Sequence, residues 1–287
     1  MKEIVVLSGK GGTGKTSIVG SFAVLARNKV LADSDVDAAD LWLLLNPSIK
    51  ERKEFWSGQV ALLDKEKCID CGLCEEACRA GAIKDKVIDE IDCEGCGLCA
   101  RICPVEAISM RERMAGHWFI SETKYGPLVH AKLGVAQENS GKLVAVVRNN
   151  AKAIAERGNF EYIINDGPPG IGCPVISSLT GASLALIITE PTLSGIHDFG
   201  RILGVCRHFG IPALVCINKY DLNEENSRQI EAYSQQLGVK VAGKIPFDNV
   251  VTEALVQGCP VVEYSEGRVS QQIELLWKEV LKFVGTN

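Results

Sequence analysis

Three observations predict an α/β fold with a mostly parallel sheet flanked by helices on both faces. Short apolar runs alternate with longer amphipathic ones along most of the 287 residues. Hydrophobic residues make up 46% of the chain but aromatics only 6%, which suits a Val/Ile/Leu/Ala-built parallel sheet better than an all-β sandwich. The first apolar run also ends in a glycine-rich loop that opens a helix, the junction at which such sheets collect ligands.

The strands read at Ile4–Leu7, Val30–Asp33, Tyr162–Asn165, Leu184–Thr189, Ala213–Ile217 and Val241–Ile245. Helical patterns lie between and after them, at Lys15–Arg27, Leu143–Glu156, Gly195–His208, Glu225–Leu237 and Asn249–Gln257. A last helix repeats apolar residues at Val269, Ile273, Leu276, Trp277, Val280 and Val284. Its polar face carries Lys278 and Lys282 against Glu274 and Glu279, too few cations for a membrane-surface helix, so it is expected to pack on the sheet. Residues 111–142 hold strand-like pieces and polar side chains, among them His117, Tyr125, His130, Glu138 and Ser140. They read either as a pair of strands leading back to the sheet or as a coupling element or partner site.

The N-terminus runs straight into a strand without a secretory pattern, and no apolar stretch approaches the roughly 20 residues of a membrane span. A cytoplasmic protein with no membrane insertion is the expectation. Between Asp64 and Glu112 twelve acidic residues face seven basic ones, so this segment holds the whole net charge of −5. No basic nucleic-acid surface is expected. The acidic segment reads either as a solvated face or as a docking face for a basic partner.

Eight of the twelve cysteines fall in that segment, spaced Cys68-x2-Cys71-x2-Cys74-x3-Cys78 and Cys93-x2-Cys96-x2-Cys99-x3-Cys103-Pro104. Zinc sites take four ligands, usually as two separated pairs. Here each half offers three cysteines in close succession and a fourth just beyond, the arrangement in which three thiolates wrap one iron–sulfur cubane and the fourth reaches another. The doubled motif resembles bacterial two-cluster ferredoxins. That resemblance implies two [4Fe–4S] clusters, one on Cys68, Cys71, Cys74 and Cys103, the other on Cys93, Cys96, Cys99 and Cys78. Gly72, Gly95 and Gly97 suit a chain turning tightly around sulfides. The first half has Arg79 where the second has Pro104. The arginine is either a guanidinium beside a cluster, able to raise its potential, or a solvent-facing side chain.

Gly9-Lys10-Gly11-Gly12-Thr13-Gly14-Lys15-Thr16 matches the phosphate-binding pattern G-x-x-x-x-G-K-[ST], followed by Ser17 in the helix. Backbone N–H groups of such a loop close on phosphate oxygens at a helix N-terminus. Lys15 would reach the β/γ-oxygens, and Thr16 would hold Mg²⁺. With Lys10 the loop resembles the deviant Walker A of the MinD/ParA/Mrp and nitrogenase iron-protein superfamily. The resemblance implies an ATP/ADP site, a slow Mg²⁺-dependent ATPase, and an ATP-dependent homodimer in which Lys10 reaches the partner's phosphates. It further implies that Asp35 positions the attacking water, that Asp33 lies nearer Mg²⁺, and that "YIINDGPPGIG" is the Walker B strand and switch loop. In that stretch Asp166 would hold Mg²⁺, and Gly167 and Gly170 would give mobility. Asn218 of "VCINKYDL" would contact the base, and "KIPFDNVVTEALVQGCPV" would lie beside it. The Asn-Lys-x-Asp string also resembles the guanine-reading motif of GTPases, although the loop favours ATP.

The expected organisation is a P-loop ATPase domain of residues 1–63 and 111–287 with an inserted ferredoxin domain at 64–110. Three functions compete. The first is a nucleotide-gated electron carrier or redox-coupled ATPase switch acting on a redox or regulatory protein at the acidic insert. The second is an iron–sulfur cluster assembly or carrier ATPase of Mrp type, though the C-P-x-C pair of those carriers is absent. The third is a MinD/ParA-like positioning switch. Cys173, seven residues after Asp166, lies where the nitrogenase iron protein has an interface cluster ligand, and reads as a redox ligand or an ordinary thiol.

Overall fold

The computed structural model describes residues 1–134 and 140–286. Glu138, noted above, lies outside the described residues. In chain order the first elements are β1 (Lys2–Ser8), α1 (Lys15–Leu25), β2 (Lys29–Asp33), α2 (Leu41–Leu45) and β3 (Ser48–Leu63). Next come α3 (Leu73–Glu76), β4 (Ile83–Lys84), β5 (Val87–Ile88), α4 (Leu98–Ile102), β6 (Ile108–Thr123) and β7 (Gly126–Leu133). The chain continues through α5 (Ser140–Arg157), β8 (Tyr162–Pro169), α6 (Cys173–Leu179), β9 (Leu184–Thr189), α7 (Leu193–His208) and β10 (Ala213–Asn218). It closes with α8 (Glu224–Gln236), β11 (Lys240–Ile245), α9 (Val250–Val256), α10 (Val261–Tyr264) and α11 (Arg268–Thr286).

The chain divides into two compact units. One is built from Met1–Arg52, Trp118–Lys132 and Ser140–Asn287; Lys53–His117 forms the body of the other. Strands are ordered β11-β10-β9-β1-β8-β2-β7-β6-β3. The pairs β1–β8, β1–β9, β9–β10, β10–β11, β2–β8 and β2–β7 are parallel, as short apolar strands separated by helices require. The stretch at 111–142 contributes two strands, β6 and β7, joined by a turn that the Thr123 hydroxyl pins to the Gly126 carbonyl at 2.8 Å.

Alternate residues of the central strands face opposite layers, and each layer buries an apolar cluster. Ile4, Val6, Leu31 and Ile164 pack against Phe22 of α1 and Trp277 of α11, whose ring centroids stand 4.8 Å apart. Val5, Leu7, Ala185 and Ile187 pack against Val175 of α6 and Phe199 of α7. All six apolar residues read from the last helix are buried, so α11 closes the first layer. Ionic contacts at Glu3 tie β1 to α5. Arg148 of α5 grips the Glu3 carboxylate through two bonds of 2.7 Å and donates to the Ser177 carbonyl of α6 at 2.5 Å.

In the second unit β4 and β5 form a two-stranded antiparallel ribbon. Helices α3 and α4 each start at a glycine with positive φ, +73° at Gly72 and +74° at Gly97. Residues 64–110 lie within this unit, which also takes in the adjoining parts of β3 and β6.

Candidate functional site

Residues 9–16 leave the carboxyl end of β1 and turn directly into α1. Gly14 is the helix N-cap, with φ +91°. A Cβ there would meet the Asn218 amide nitrogen at 2.4 Å, so only glycine lets the loop lie this close to the end of β10. Asn218 donates that nitrogen to the Thr13 carbonyl at 2.7 Å, and Lys219 donates to the Gly12 carbonyl at 3.0 Å. Gly9 lies directly beneath Asp198 of α7. Gly11 and Gly12 are exposed at the crest of the loop. The loop is thereby pinned from Asn218 and Lys219, at a helix N-terminus of the kind whose N–H groups bind anions.

Lys15 is buried, and its ammonium stands 3.5 Å from Asp35. Asp35 and Asp166 flank it, and Asp33, level with Asp166 on the adjacent strand, lies beside both acids. Burial pushes the Asp35 carboxyl up, and Lys15 opposes the shift. Burial, reinforced by Asp166 and Asp35, pushes Asp33 well up. Asp166 is pushed up to about 6 by burial, against the pull of Lys15 and the Thr16 hydroxyl. Three carboxylates beside one ammonium leave negative charge that a divalent cation would offset. The Thr16 hydroxyl lies near Asp166, yet neither Asp166 oxygen completes a hydrogen bond, and the buried hydroxyls of Thr13 and Ser34 have none. Buried polar atoms in this condition mark a place built to receive polar ligand atoms.

Asp33 has a role that the strand pattern did not suggest. Its two oxygens accept the N–H groups of Asp35, at 3.1 Å, and Leu41, at 3.2 Å. It thus shapes the loop that presents Asp35 and starts α2.

Lys10 turns away from its own phosphate loop. Its ammonium pairs with Glu190 at 2.5 Å and reaches the hydroxyls of Ser194 at 3.2 Å and Thr192 at 3.4 Å. Glu190 also takes Lys219 at 3.4 Å. Sequence reading missed Glu190 and Asp198; the one signal for Glu190 was the "TEPTLSG" that begins at the last residue of β9.

A cavity of about 190 Å³ adjoins the loop, with Gly12, Gly14, Ser17, Asn218, Pro246 and Phe247 among its walls. The segment after β11 therefore lies beside Asn218 at this cavity. Asp221, the acid of the Asn-Lys-x-Asp string, accepts the Phe247 N–H at 2.7 Å. Here that carboxylate braces the cavity wall.

The eight clustered cysteines surround two cavities in the second unit. One, of about 300 Å³, is lined by Cys78, Cys93, Cys96 and Cys99. The other, of about 220 Å³, is lined by Cys68, Cys71, Cys74 and Cys103. Each half-motif thus gives three cysteines to one cavity and its fourth to the other. Among the described residues no three Cys, His, Asp or Glu side chains converge on one point as ligands of a single ion would. The peptide N–H groups of Val105 and Ala107 lead the contacts that hold Cys103 below the usual thiol range; Ala107 donates to its sulfur at 3.2 Å. Burial pushes Cys74 and Cys99 up. Gly95, at φ +67°, passes so close to the Gln59 carbonyl that a Cβ would meet its oxygen at 2.2 Å. Arg79 is exposed and lines the larger cavity. Cys173 is exposed at the first position of α6, while Cys206 and Cys216 are buried thiols. No described helix is long and apolar enough to cross a membrane.

Comparison with known proteins places this geometry. A model of the CobQ/CobB/MinD/ParA nucleotide binding domain matches residues 4–261. An uncharacterised protein of Methanocaldococcus jannaschii is 34% identical over 285 residues, covering 98% of this chain and 97% of that protein. An iron-sulfur cluster carrier protein of Pyrococcus horikoshii is 28% identical over 123 residues, covering 38% of this chain and 41% of its own. The structure of the septum site-determining protein MinD of P. horikoshii, complexed with Mg-ADP, superposes with a TM-score of 0.62. It shares 20% identity and covers 99% of this chain and 98% of its own, a likeness of fold.

Proposed function

The chain belongs to the CobQ/CobB/MinD/ParA nucleotide-binding family, and from that premise we propose that it is a slow Mg²⁺-dependent ATPase carrying two [4Fe–4S] clusters. In this reading it acts as a nucleotide-gated electron carrier or redox-coupled switch on a protein partner. The observation that carries the redox half is the sorting of eight cysteines into two fours, each around its own cavity. The donor set suits such a group: thiolates are the ligand form, and backbone N–H groups already favour the thiolate at Cys103. Cys68, Cys71, Cys74 and Cys103 would hold one cluster, and Cys78, Cys93, Cys96 and Cys99 the other. Bound there, the clusters would supply one-electron chemistry.

For hydrolysis, residues 9–16 bind the phosphates, and Lys15 neutralises charge on the transferring group. Mg²⁺, when bound, supplies further neutralisation, with Thr16 and Asp166 as its holders. Asp35, beside Lys15, orients the attacking water. Lys10 leaves Glu190 to reach the phosphates of a second copy in an ATP-dependent homodimer. Asn218 and the walls around Phe247 hold the base. The engagement of Asp221 by Phe247 supports ATP over GTP.

Anaerobic EPR of the dithionite-reduced protein, with and without ATP and Mg²⁺, tests the reading. A nucleotide-dependent change in spectrum or midpoint is the expected result; identical titrations in both conditions refute nucleotide gating. A second reading, a cluster-carrier ATPase, draws on the matched stretch of the Pyrococcus carrier. Rapid transfer of a cluster from the loaded protein to an apo-acceptor would favour it. A third, a positioning switch, draws on the likeness of fold to MinD and predicts ATP-dependent cosedimentation with vesicles or DNA.

A further inference from the structure

The two cysteine-lined cavities differ in the charge around them. The smaller is bordered by Asp70, Glu75 and Asp85, with Lys86 as the cation among them. Lys86 is itself paired with Asp70 at 2.6 Å, and the Asp85 N–H donates to Glu75 at 3.3 Å. The larger cavity has an apolar lining that includes Ala61, Ala82, Leu98 and Met110. Its charged wall residues are Arg79 and Glu94. Behind it Arg113, half-buried on β6, donates an N–H to the carbonyl oxygen of Cys93 at 2.5 Å. A guanidinium is thereby fixed to the backbone of a residue that carries one of the four thiols. Ile83 lines both cavities, so the two sites are neighbours.

We propose that the two sites are electronically unequal, and that Arg113 makes the site of Cys78, Cys93, Cys96 and Cys99 the one that takes up an electron first. The inference rests on the cluster reading proposed above and says which of its two sites fills first and what orders them.

A one-electron reduction adds a negative charge to the site and breaks no bond; the electron comes from dithionite or from a poised electrode mediator. An apolar lining alone disfavours that added charge. It also leaves a nearby fixed charge poorly screened, so the sign of the fixed charge governs the outcome. The lining of the larger cavity sets Arg79 against Glu94, and Arg113 adds a guanidinium at the Cys93 backbone. At the smaller one three carboxylates face one ammonium. The larger site is therefore stabilised in its reduced form and the smaller one penalised. Arg113 is a positioning residue in this role: it touches the carbonyl of Cys93 and acts on the site through its charge.

The test is an EPR-monitored redox titration of the cluster-loaded protein, with iron and sulfide content measured on the same samples. The wild type should show two separate one-electron waves, and Cys78→Ala should remove the higher one. Arg113→Gln should lower the higher wave so that, at its original midpoint, the reduced-to-oxidised ratio falls about tenfold, or about 59 mV for one electron. Arg113→Lys, which keeps the charge, should recover most of that shift. The Asp70→Asn/Glu75→Gln/Asp85→Asn variant should raise the lower wave alone. Coincident waves in the wild type overturn the proposal, as does a shift in Arg113→Lys equal to that in Arg113→Gln. Loss of the cluster in Arg113→Gln leaves the decision to the carboxylate variant, which shifts neither wave if charge is not what orders the sites. Protein without iron or sulfide sinks the cluster reading itself; full loading with equal potentials sinks this inference alone.

Discussion

Replacing Arg148 by Met should cost this protein more stability than any surface change. Glu3 and Arg148 are 3% and 6% exposed, and the guanidinium spans β1, α5 and α6 with two bonds of 2.7 Å to Glu3 and one of 2.5 Å to Ser177. Lys152, 3.4 Å from the same carboxylate, is one-third exposed and compensates little. Arg148→Met leaves a buried carboxylate without its main partner, a change that typically costs about 3–5 kcal/mol. For a unit of this size that is on the order of 10 °C in Tm. Equilibrium urea unfolding, followed by circular dichroism, measures the loss. Removing both charges, as Glu3→Leu/Arg148→Met, abolishes the unpaired carboxylate and should cost clearly less than the sum of the single changes. A loss below about 1 kcal/mol in Arg148→Met, or strict additivity in the double variant, would show that Glu3 is not held by this pair.

Four further outcomes are expected. Lys10→Ala should lose most ATP turnover while keeping part of its nucleotide affinity, and unchanged hydrolysis in a coupled phosphate-release assay rules out the lysine in trans. Asn218→Ala removes the donor to the Thr13 carbonyl and should weaken nucleotide binding by about 1–3 kcal/mol, roughly 5- to 150-fold, read by calorimetry. His130, hydrogen-bonded to Ser121 at 3.0 Å, is held down to about 4 by burial. Its unfolded form titrates near 6.5, so between the two values the unfolded chain binds the extra proton and stability falls as pH falls. The loss should reach at most about 3 kcal/mol by pH 4, and His130→Phe should flatten that part of a Tm-against-pH profile. Cys78→Ala should remove the cluster of Cys93, Cys96 and Cys99 and spare the other, whereas loss of the cluster of Cys68, Cys71 and Cys74 would break the proposed pairing.

Local pattern carried much of this molecule. Six of the parallel strands and the helices between them were legible because burial on both faces demands uninterrupted apolar runs, and Leu184–Thr189 is a strand over its full predicted length. The long strands β3 and β6 were not. Residues such as Lys50, Glu51, Arg52 and Glu54 keep no two-residue apolar period, and their strand is held by sheet pairing with a distant segment. Helices α2 and α6, of five and seven residues, are too short to show a period of 3.6.

By itself the sequence determined which residues have the chemistry: a loop rich in glycine and lysine at a strand end, acids at the ends of two other strands, and thiols spaced three by three. Those are local properties, set by residue type and by how far a short chain can reach. Only the tertiary structure decided where the free ends of that chemistry go. It sent Lys10 to Glu190, committed Asp33 to the N–H groups of Asp35 and Leu41, and seated Arg113 on the Cys93 carbonyl. Each contact joins residues from different elements or across a turn. A side chain's partner there is chosen by packing and by the need to satisfy buried polar atoms, which no local spacing records.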